Sequence, residues 1–126
     1  MKQAMIMIET ANVKQDSADL RRRWFSDDYF DLIVWEEAAG EIIRFELCYG
    51  KFRDERALVW DREAGYSHLR VDDGENAAGK FKMSPIYAAD GLFDRNAVAD
   101  GFLAASVTID QAVASFVYNK LKESPE

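Results

Sequence analysis

Two short stretches of this chain share one pattern, and that pattern constrains the fold more than any other feature of the sequence. "VWEEAAG" begins at Val34 and "VWDREAG" begins at Val59, so each copy places a tryptophan, an acid and an Ala-Gly pair at the same spacing. Around each copy the apolar residues recur at every second position, which is typical of β-strands, and a glycine after a short polar run is typical of a hairpin turn. The sequence therefore predicts two β-hairpins.

The first hairpin is predicted over residues 30–49. A three-residue loop, residues 38–40, with Gly40 in the left-handed conformation, pairs Trp35 with Ile43. In this register Trp35 belongs to the core face. The predicted core face as a whole consists of Ile33, Trp35, Ile43, Phe45, Leu47 and Tyr49.

The second hairpin is predicted to have the same loop form over residues 63–65. This loop pairs Val59 with Leu69 and turns both toward the core, together with Ala57 and Val71. Trp60 then lies across from His68 on the opposite face. A shift of one residue would reverse every assignment, and loops of two, three or four residues remain open alternatives.

The two hairpins, joined through residues 50–55, predict a four-stranded antiparallel meander. The alternation in "KFKMS", residues 80–84, predicts a fifth short strand that ends at Pro85. In the last third of the chain, Asp94 as an N-cap predicts a helix over residues 95–105, and Thr108 with Gln111 forms a capping-box pattern for a second helix. The predicted class is α+β, an antiparallel four- to five-stranded β-meander with two C-terminal helices packed on one face.

The length of 126 residues predicts a single domain, 1–126. Within it, residues 1–19 are predicted to be an N-terminal arm or strand, residues 20–90 the meander, and residues 94–123 the helical part. Two interpretations of residues 17–25 stay open, a short capped helix and an edge strand.

The formal charge of -7 argues against nucleic acid and anionic membranes as partners, because both reward a positive surface. The basic run at residues 21–23 could contact phosphate or pair with Asp27 and Asp28. Cys48 is the only cysteine, so no internal disulfide can form, and a reducing, cytoplasmic setting is expected. The five-residue apolar run before Glu9 is too short for a signal peptide or a membrane span.

Seven further phrases carry a resemblance to a known group of proteins: "RRRWF", "DLIVW", "FELCYGK", "ERALVW", "GYSHLRVDDGE", "KMSPI" and "ADGLFD". Over about residues 20–94 the chain resembles a family of small uncharacterised bacterial proteins. The resemblance implies a bacterial cytoplasmic setting. It implies no activity, cofactor or catalytic residue.

One predicted strand face gathers the residues best suited to binding. In the favoured register this face carries the only histidine of the chain, and it consists of Trp60, His68, Arg70 and Arg56, with Arg44 added if the second and third strands pair with matching pleats. Guanidinium groups beside an indole plane can bind a carboxylate or phosphate while the ring stacks on a planar ligand. The alternative is that the charges pair with one another on a solvated face, Arg56 with Asp72 and Arg44 with Glu46 or Glu36.

The sequence predicts no catalytic residue, metal site or cofactor. A Cys48–His68 pair depends on a strand order that brings both together, and a lone cysteine in an apolar strand is typically a small buried side chain. "DDGEN" at residues 72–76 lacks the ligand alternation of a calcium loop, and one histidine with one cysteine is too few for an ordinary zinc site.

For function, the sequence favours a non-enzymatic cytoplasmic binding or interaction domain that uses one face of its sheet. The acidic charge suits a basic protein partner or a homodimer, and a protein partner is favoured over a small molecule. The alternative is a small anionic-ligand-binding protein, or a weakly specified small enzyme, that uses the arginine, histidine and tryptophan cluster.

Overall fold

The computed structural model describes residues 7–15, 18–50, 55–71, 81–84 and 94–125. These residues form one antiparallel sheet, whose strands pair in chain order, followed by two helices. The strands are β1 Ile8–Glu9, β2 Leu20–Ser26, β3 Phe30–Glu37, β4 Ile42–Tyr49, β5 Arg56–Asp61, β6 Gly65–Val71 and β7 Phe81–Ser84, and the helices are α1 Arg95–Ala105 and α2 Gln111–Glu123.

The α+β class is confirmed, and so is the strand predicted at residues 80–84, although Pro85 lies outside the described residues. The predicted count of four to five strands was too low. Within the described residues, the sheet has six strands of four residues or more and the two-residue β1. Of the two interpretations of residues 17–25, the strand is the correct one, and β1 covers part of its outer side.

On the outer side of β2, backbone groups that β1 does not reach form hydrogen bonds with other parts of the chain. Thr10 N donates to Trp24 O at 2.8 Å. Farther along, the side-chain amide of Gln15 accepts from Arg22 N at 2.7 Å and donates to Arg22 O at 3.0 Å. Because an edge with unpaired backbone groups attracts other strands, these bonds protect β2 from unwanted pairing.

The first hairpin begins with the predicted loop and then departs from the predicted register. Glu37 N donates to Glu41 O at 2.9 Å, and Gly40 has a φ of 94°, as the three-residue loop requires. A β-bulge then shifts the pairing between Trp35 and Glu36, so that Trp35 lies opposite Arg44 and not Ile43. Side chains alternate along a strand, so a shift of one residue places Ile33 and Trp35 of β3 on the face opposite to the one predicted, while Phe45 and Leu47 of β4 keep their predicted face.

The predicted core face of the first hairpin is therefore wrong in part. Trp35 and Ile33 lie on the face turned away from the helices. The buried apolar residues of this hairpin that join the main core are Phe30, Leu32, Val34, Ile42, Phe45 and Leu47.

The second hairpin has its register two residues away from the prediction. Asp61 lies opposite Gly65, whose φ is 83°, and Trp60 lies opposite Tyr66. A shift of two residues keeps every side chain on its face, so Trp60 and His68 share a face as predicted. The interpretation of that face was wrong, because Trp60 packs on the main core, whereas Ala57, Val59 and Leu69 form a smaller buried cluster on the other side.

Contacts between sheet and helices come from the face that carries Phe30 and Trp60. The ring of Phe30 meets that of Phe102 in α1 edge-on at 5.9 Å, and the ring of Trp60 meets that of Phe116 in α2 at 5.3 Å. Tyr66 Oη donates to Lys120 O at 2.7 Å. These contacts enclose the main core between the sheet and the two helices.

The first helix has the predicted bounds and the predicted cap, since Asp94 Oδ1 accepts from Ala97 N at 3.1 Å. The capping box predicted for the second helix is wrong. Asp110 caps α2 by accepting from Ala112 N at 2.9 Å, and Thr108 Oγ1 donates instead to Met7 O at 3.1 Å. Neither helix is long and apolar enough to cross a membrane, within the part of the chain that the structure describes.

Arg23 joins the first strand to the last helix. It makes two hydrogen bonds to the carboxylate of Glu9, at 2.8 and 2.9 Å, and one each to Glu36 at 3.1 Å and Asp110 at 3.2 Å. The hydrogen bond from Arg23 lowers the pKa of Glu9. The pKa of Asp110 is lowered mainly by the Ala112 backbone amide and then by Arg23.

The run of arginines at residues 21–23 thus pairs with acids, as one of its two interpretations predicted. The acids differ from the predicted ones. Arg21 pairs with Glu36, and Arg23 pairs with Glu9, Glu36 and Asp110, three acids that the sequence did not single out as partners.

Candidate functional site

His68 lies in the interior of the protein and not on an open face. Its exposed fraction is 0%, and its Nε2 shares a hydrogen bond of 2.6 Å with Tyr49 Oη. The two rings are stacked, with centroids 6.0 Å apart. A ligand at the surface has no access to this imidazole, so the expectation of an exposed histidine is wrong.

Trp60 shares the face of His68 and is covered in turn. Its ring stacks on Phe45 at 6.0 Å, and Lys120 Nζ lies 4.7 Å from the ring centroid, a cation–π contact with a helix residue. An indole plane that already carries an ammonium group and a phenylalanine ring is a packing element. It is not the open stacking wall that the sequence predicted.

The predicted arginines divide between the two faces. Arg56 is half-buried and lies directly opposite Arg70, on the face of His68, as predicted; its predicted partner Asp72 lies outside the described residues. Arg44 lies opposite Asp61, on the other face. The structure therefore groups Trp60, His68, Arg56 and Arg70 by register, and does not bring Arg44 to them.

The face turned away from the helices carries the other two tryptophans, which define a surface that we call the tryptophan patch: Trp24, Ile33 and Trp35. Trp24 is 38% exposed and lies directly opposite Ile33, while Ile33 and Trp35 are half-buried neighbours on β3. These side chains form a continuous apolar area across β2 and β3, because residues opposite each other, and residues two apart on one strand, share a face.

Charged groups surround the tryptophan patch. The guanidinium of Arg44 lies 5.3 Å from the Trp35 ring centroid and pairs with Glu46 at 2.7 Å and Asp61 at 3.4 Å. On the other side, Trp24 Nε1 donates to Asp31 Oδ1 at 3.3 Å. The hydrogen bonds from the Ala64 and Glu63 amides, followed by that from Arg44, lower the pKa of Asp61. The carboxylate of Asp61 beside the patch therefore stays ionised.

The sequence did not identify this patch, although it contained a usable signal. One face of β3 reads Phe30, Leu32 and Val34, while the other begins with Asp31 and continues with Ile33 and Trp35. A uniformly apolar face belongs inside, and a face that mixes an acid with large apolar residues belongs at a surface or interface.

The arrangement offers little chemistry beyond binding. Cys48 lies opposite Ala57 on the patch side of the sheet, and His68 lies on the helix side, so the two do not form a dyad. In the described ranges, no three His, Cys, Asp or Glu residues are placed to hold a metal ion.

Comparison of the chain with protein-family models, curated proteins and solved structures finds no significant match. The resemblance to small bacterial proteins therefore stays a prediction.

Proposed function

We propose that this protein is a non-enzymatic interaction domain that binds a protein partner through the tryptophan patch. The observation that carries the proposal is Trp24, which is 38% exposed on the sheet face beside half-buried Ile33 and Trp35. Burying such side chains against a partner contributes about 25 cal/mol for each Å² of apolar surface removed from water.

The composition of the patch and its rim supports a protein interface. Protein interfaces combine an apolar, aromatic centre with a polar rim, and the residues that dominate their energetics are most often Trp, Tyr and Arg. The patch has two tryptophans at its centre and Arg44 at its rim. Arg44 is held by Glu46 and Asp61 and stacks near Trp35, so the binding surface is already ordered before the partner arrives.

The charge of the chain favours a particular class of partner. A formal charge of -7 favours a protein with a basic surface over a second copy of the same acidic chain. We therefore propose a basic protein as the partner, and treat a homodimer as the outcome that would replace it.

The test compares wild type with a Trp24→Ala, Trp35→Ala double variant. A Leu103→Ala, Val107→Ala double variant is the control, because those apolar residues are 49% and 64% exposed on the helical part. Cross-linking in the source cells identifies the partner, and calorimetry with the purified partner measures affinity. We expect the patch variant to lose at least about tenfold in affinity, or 1.4 kcal/mol, and the control to stay within about twofold.

Equal affinities for wild type and patch variant would refute the proposal. Sedimentation adds a second outcome, since a concentration-dependent dimer that the patch variant loses would make the partner a second copy. Raising the salt concentration should weaken binding to a basic partner, because screening reduces long-range attraction.

A further inference from the structure

An open apolar groove of about 460 Å³ lies between α1 and the turn that joins β2 to β3. It is separate from the tryptophan patch, because it forms where the helix meets the other side of the sheet. Buried Phe30 and Val98 form its base, and Tyr29, which is 43% exposed, stands at one side. The remaining lining residues are Asp27, Ala97, Gly101, Ala104 and Ala105.

The groove is held open by two local features. On α1, the residues that line it are small, so no long side chain projects from the helix, and a Cβ at Gly101 would lie 3.6 Å from the Phe30 ring. On the turn, Asp27 Oδ1 accepts from Tyr29 N at 2.8 Å and from Phe30 N at 2.6 Å. The Tyr29 ring meets Phe30 edge-on at 4.8 Å, so the aromatic side has a fixed position.

The charge around the groove is acidic. Asp27 lines it, and exposed Asp28 and Asp100 are adjacent in sequence to its lining residues. Among the residues that the structure describes, neither Asp28 nor Asp100 forms an ion pair, and no Lys or Arg lines the groove. The only base on α1, Arg95, donates to Ser124 O at 2.7 Å, at the end of α2.

We propose that this groove binds a basic amphipathic helix of a partner protein. An apolar stripe at helical spacing fills a groove of this kind, and small residues on α1 let the docking helix approach closely. The lysines or arginines of that helix then lie near Asp28 and Asp100. With 11 residues, α1 is about 16 Å long, which matches three turns of a docked helix.

The probe is a fluorescein-labelled peptide of leucine and lysine, about 14 residues long, with leucines spaced as one helical face. A second peptide has the same composition without an apolar face. Ala104→Arg places a positive charge in the groove, and Ser115→Arg is the matched control, an exposed serine in the middle of α2 whose replacement changes the net charge equally. Both positions are exposed and arginine is a good helix former, so thermal melts should show both variants folded.

By fluorescence anisotropy, we expect wild type and Ser115→Arg to bind the amphipathic peptide at least about tenfold more tightly than the control peptide. Ala104→Arg should lose about tenfold. Equal losses in both variants, or equal affinities for both peptides, would show general charge attraction and overturn the proposal. Loss of binding only in the Trp24→Ala, Trp35→Ala variant would place the peptide on the tryptophan patch, which overturns this inference and leaves the proposed function standing.

Discussion

The two hairpins carry the same motif and place its tryptophan on opposite faces of the sheet. Trp35 in the first lies on the side away from the helices, next to Arg44, whereas Trp60 in the second packs against Phe116. In the first hairpin, a β-bulge next to Trp35 shifts the pairing of β3 with β4 by one residue. The paired residues of the second hairpin show no such shift. The residues of a turn therefore determine where the chain reverses, whereas the register of the paired strands determines which side chains are buried.

The acids that follow the two tryptophans in sequence, Glu36 and Asp61, also lie on opposite sides of the sheet. Glu36 is buried on the helix side and pairs with Arg23 at 3.1 Å. Asp61 lies at the other side and accepts from the Glu63 and Ala64 amides at 2.8 and 3.0 Å, which orders its own turn. Glu36 is therefore a buried group at the edge of the core, whereas Asp61 stabilises a turn.

The largest expected effect separates the tryptophans. Trp60→Ala removes contacts with Phe45, Phe116 and Lys120, so we expect the free energy of unfolding to fall by about 3 kcal/mol. Trp35→Ala should cost about 1 kcal/mol, because its ring borders solvent. Urea denaturation measures both, and a larger loss for Trp35→Ala would contradict the assigned faces.

The next effect separates the acids. Glu36→Gln should cost about 2 kcal/mol, because it removes a buried charge from Arg23, which keeps Glu9 and Asp110 as partners. Asp61→Asn should cost less than about 0.5 kcal/mol, because the amide oxygen can still accept from the turn. Denaturation of both variants at pH 7 gives the comparison, and equal losses would mean that Glu36 is not a core group.

Replacing the glycine in either hairpin turn should destabilise the protein by the same amount. Gly40→Ala and Gly65→Ala should each cost about 1 kcal/mol, because both glycines have a positive φ that a Cβ disfavours. A Cβ at either position meets no other atom within 4 Å, so the cost is purely a backbone effect. A difference above about 0.5 kcal/mol in urea denaturation would show that the turns are not equivalent.

The smallest expected effect concerns pH. The pKa of Asp61 is lowered from its ordinary 3.8, so its stabilising contribution is present above that value and is lost as the pH falls through the lower folded pKa. The same sign holds for Glu9 and Asp110. Asp61→Asn should therefore show a slightly flatter loss of stability below pH 3.8 than wild type. Identical acid denaturation curves would contradict the role of the ionised carboxylate.

Much of the fold was predictable because its signals are local. The cap at Asp94 and the bounds of α1 follow from residues a few positions apart, and so does the first hairpin turn with its left-handed Gly40. The second turn was predicted one residue too late, at residues 63–65, whereas the loop comprises residues 62–64. The register was not predictable. Ile42 and Ile43 are both apolar, so the alternation of apolar residues does not reveal which of the two the bulge leaves without a partner on β3.

The site was harder to predict for the same reason. In β5, Ala57 with Val59 and Leu58 with Trp60 offer two apolar faces, and either could have met the helices. Both became buried, in two separate clusters. The tryptophan patch depends on the face of Trp35 and on the strand nature of residues 20–26, two features that only long-range pairing decides.

The contacts of Met7 have a consequence for how the protein is made. Met7 N donates to Ala105 O and Met7 O accepts from Thr108, so the segment that leads into β1 is fastened by residues synthesised about a hundred positions later. The bond from Arg23 to Asp110 spans 87 positions in the same way. On the ribosome, β2 to β6 can pair as each neighbour emerges, while Met7 and Arg23 gain these partners only after residues 105–110 have appeared. A chain that has not yet added α1 and α2 therefore exposes the apolar face of its meander, and the two helices cover that face once they have been made.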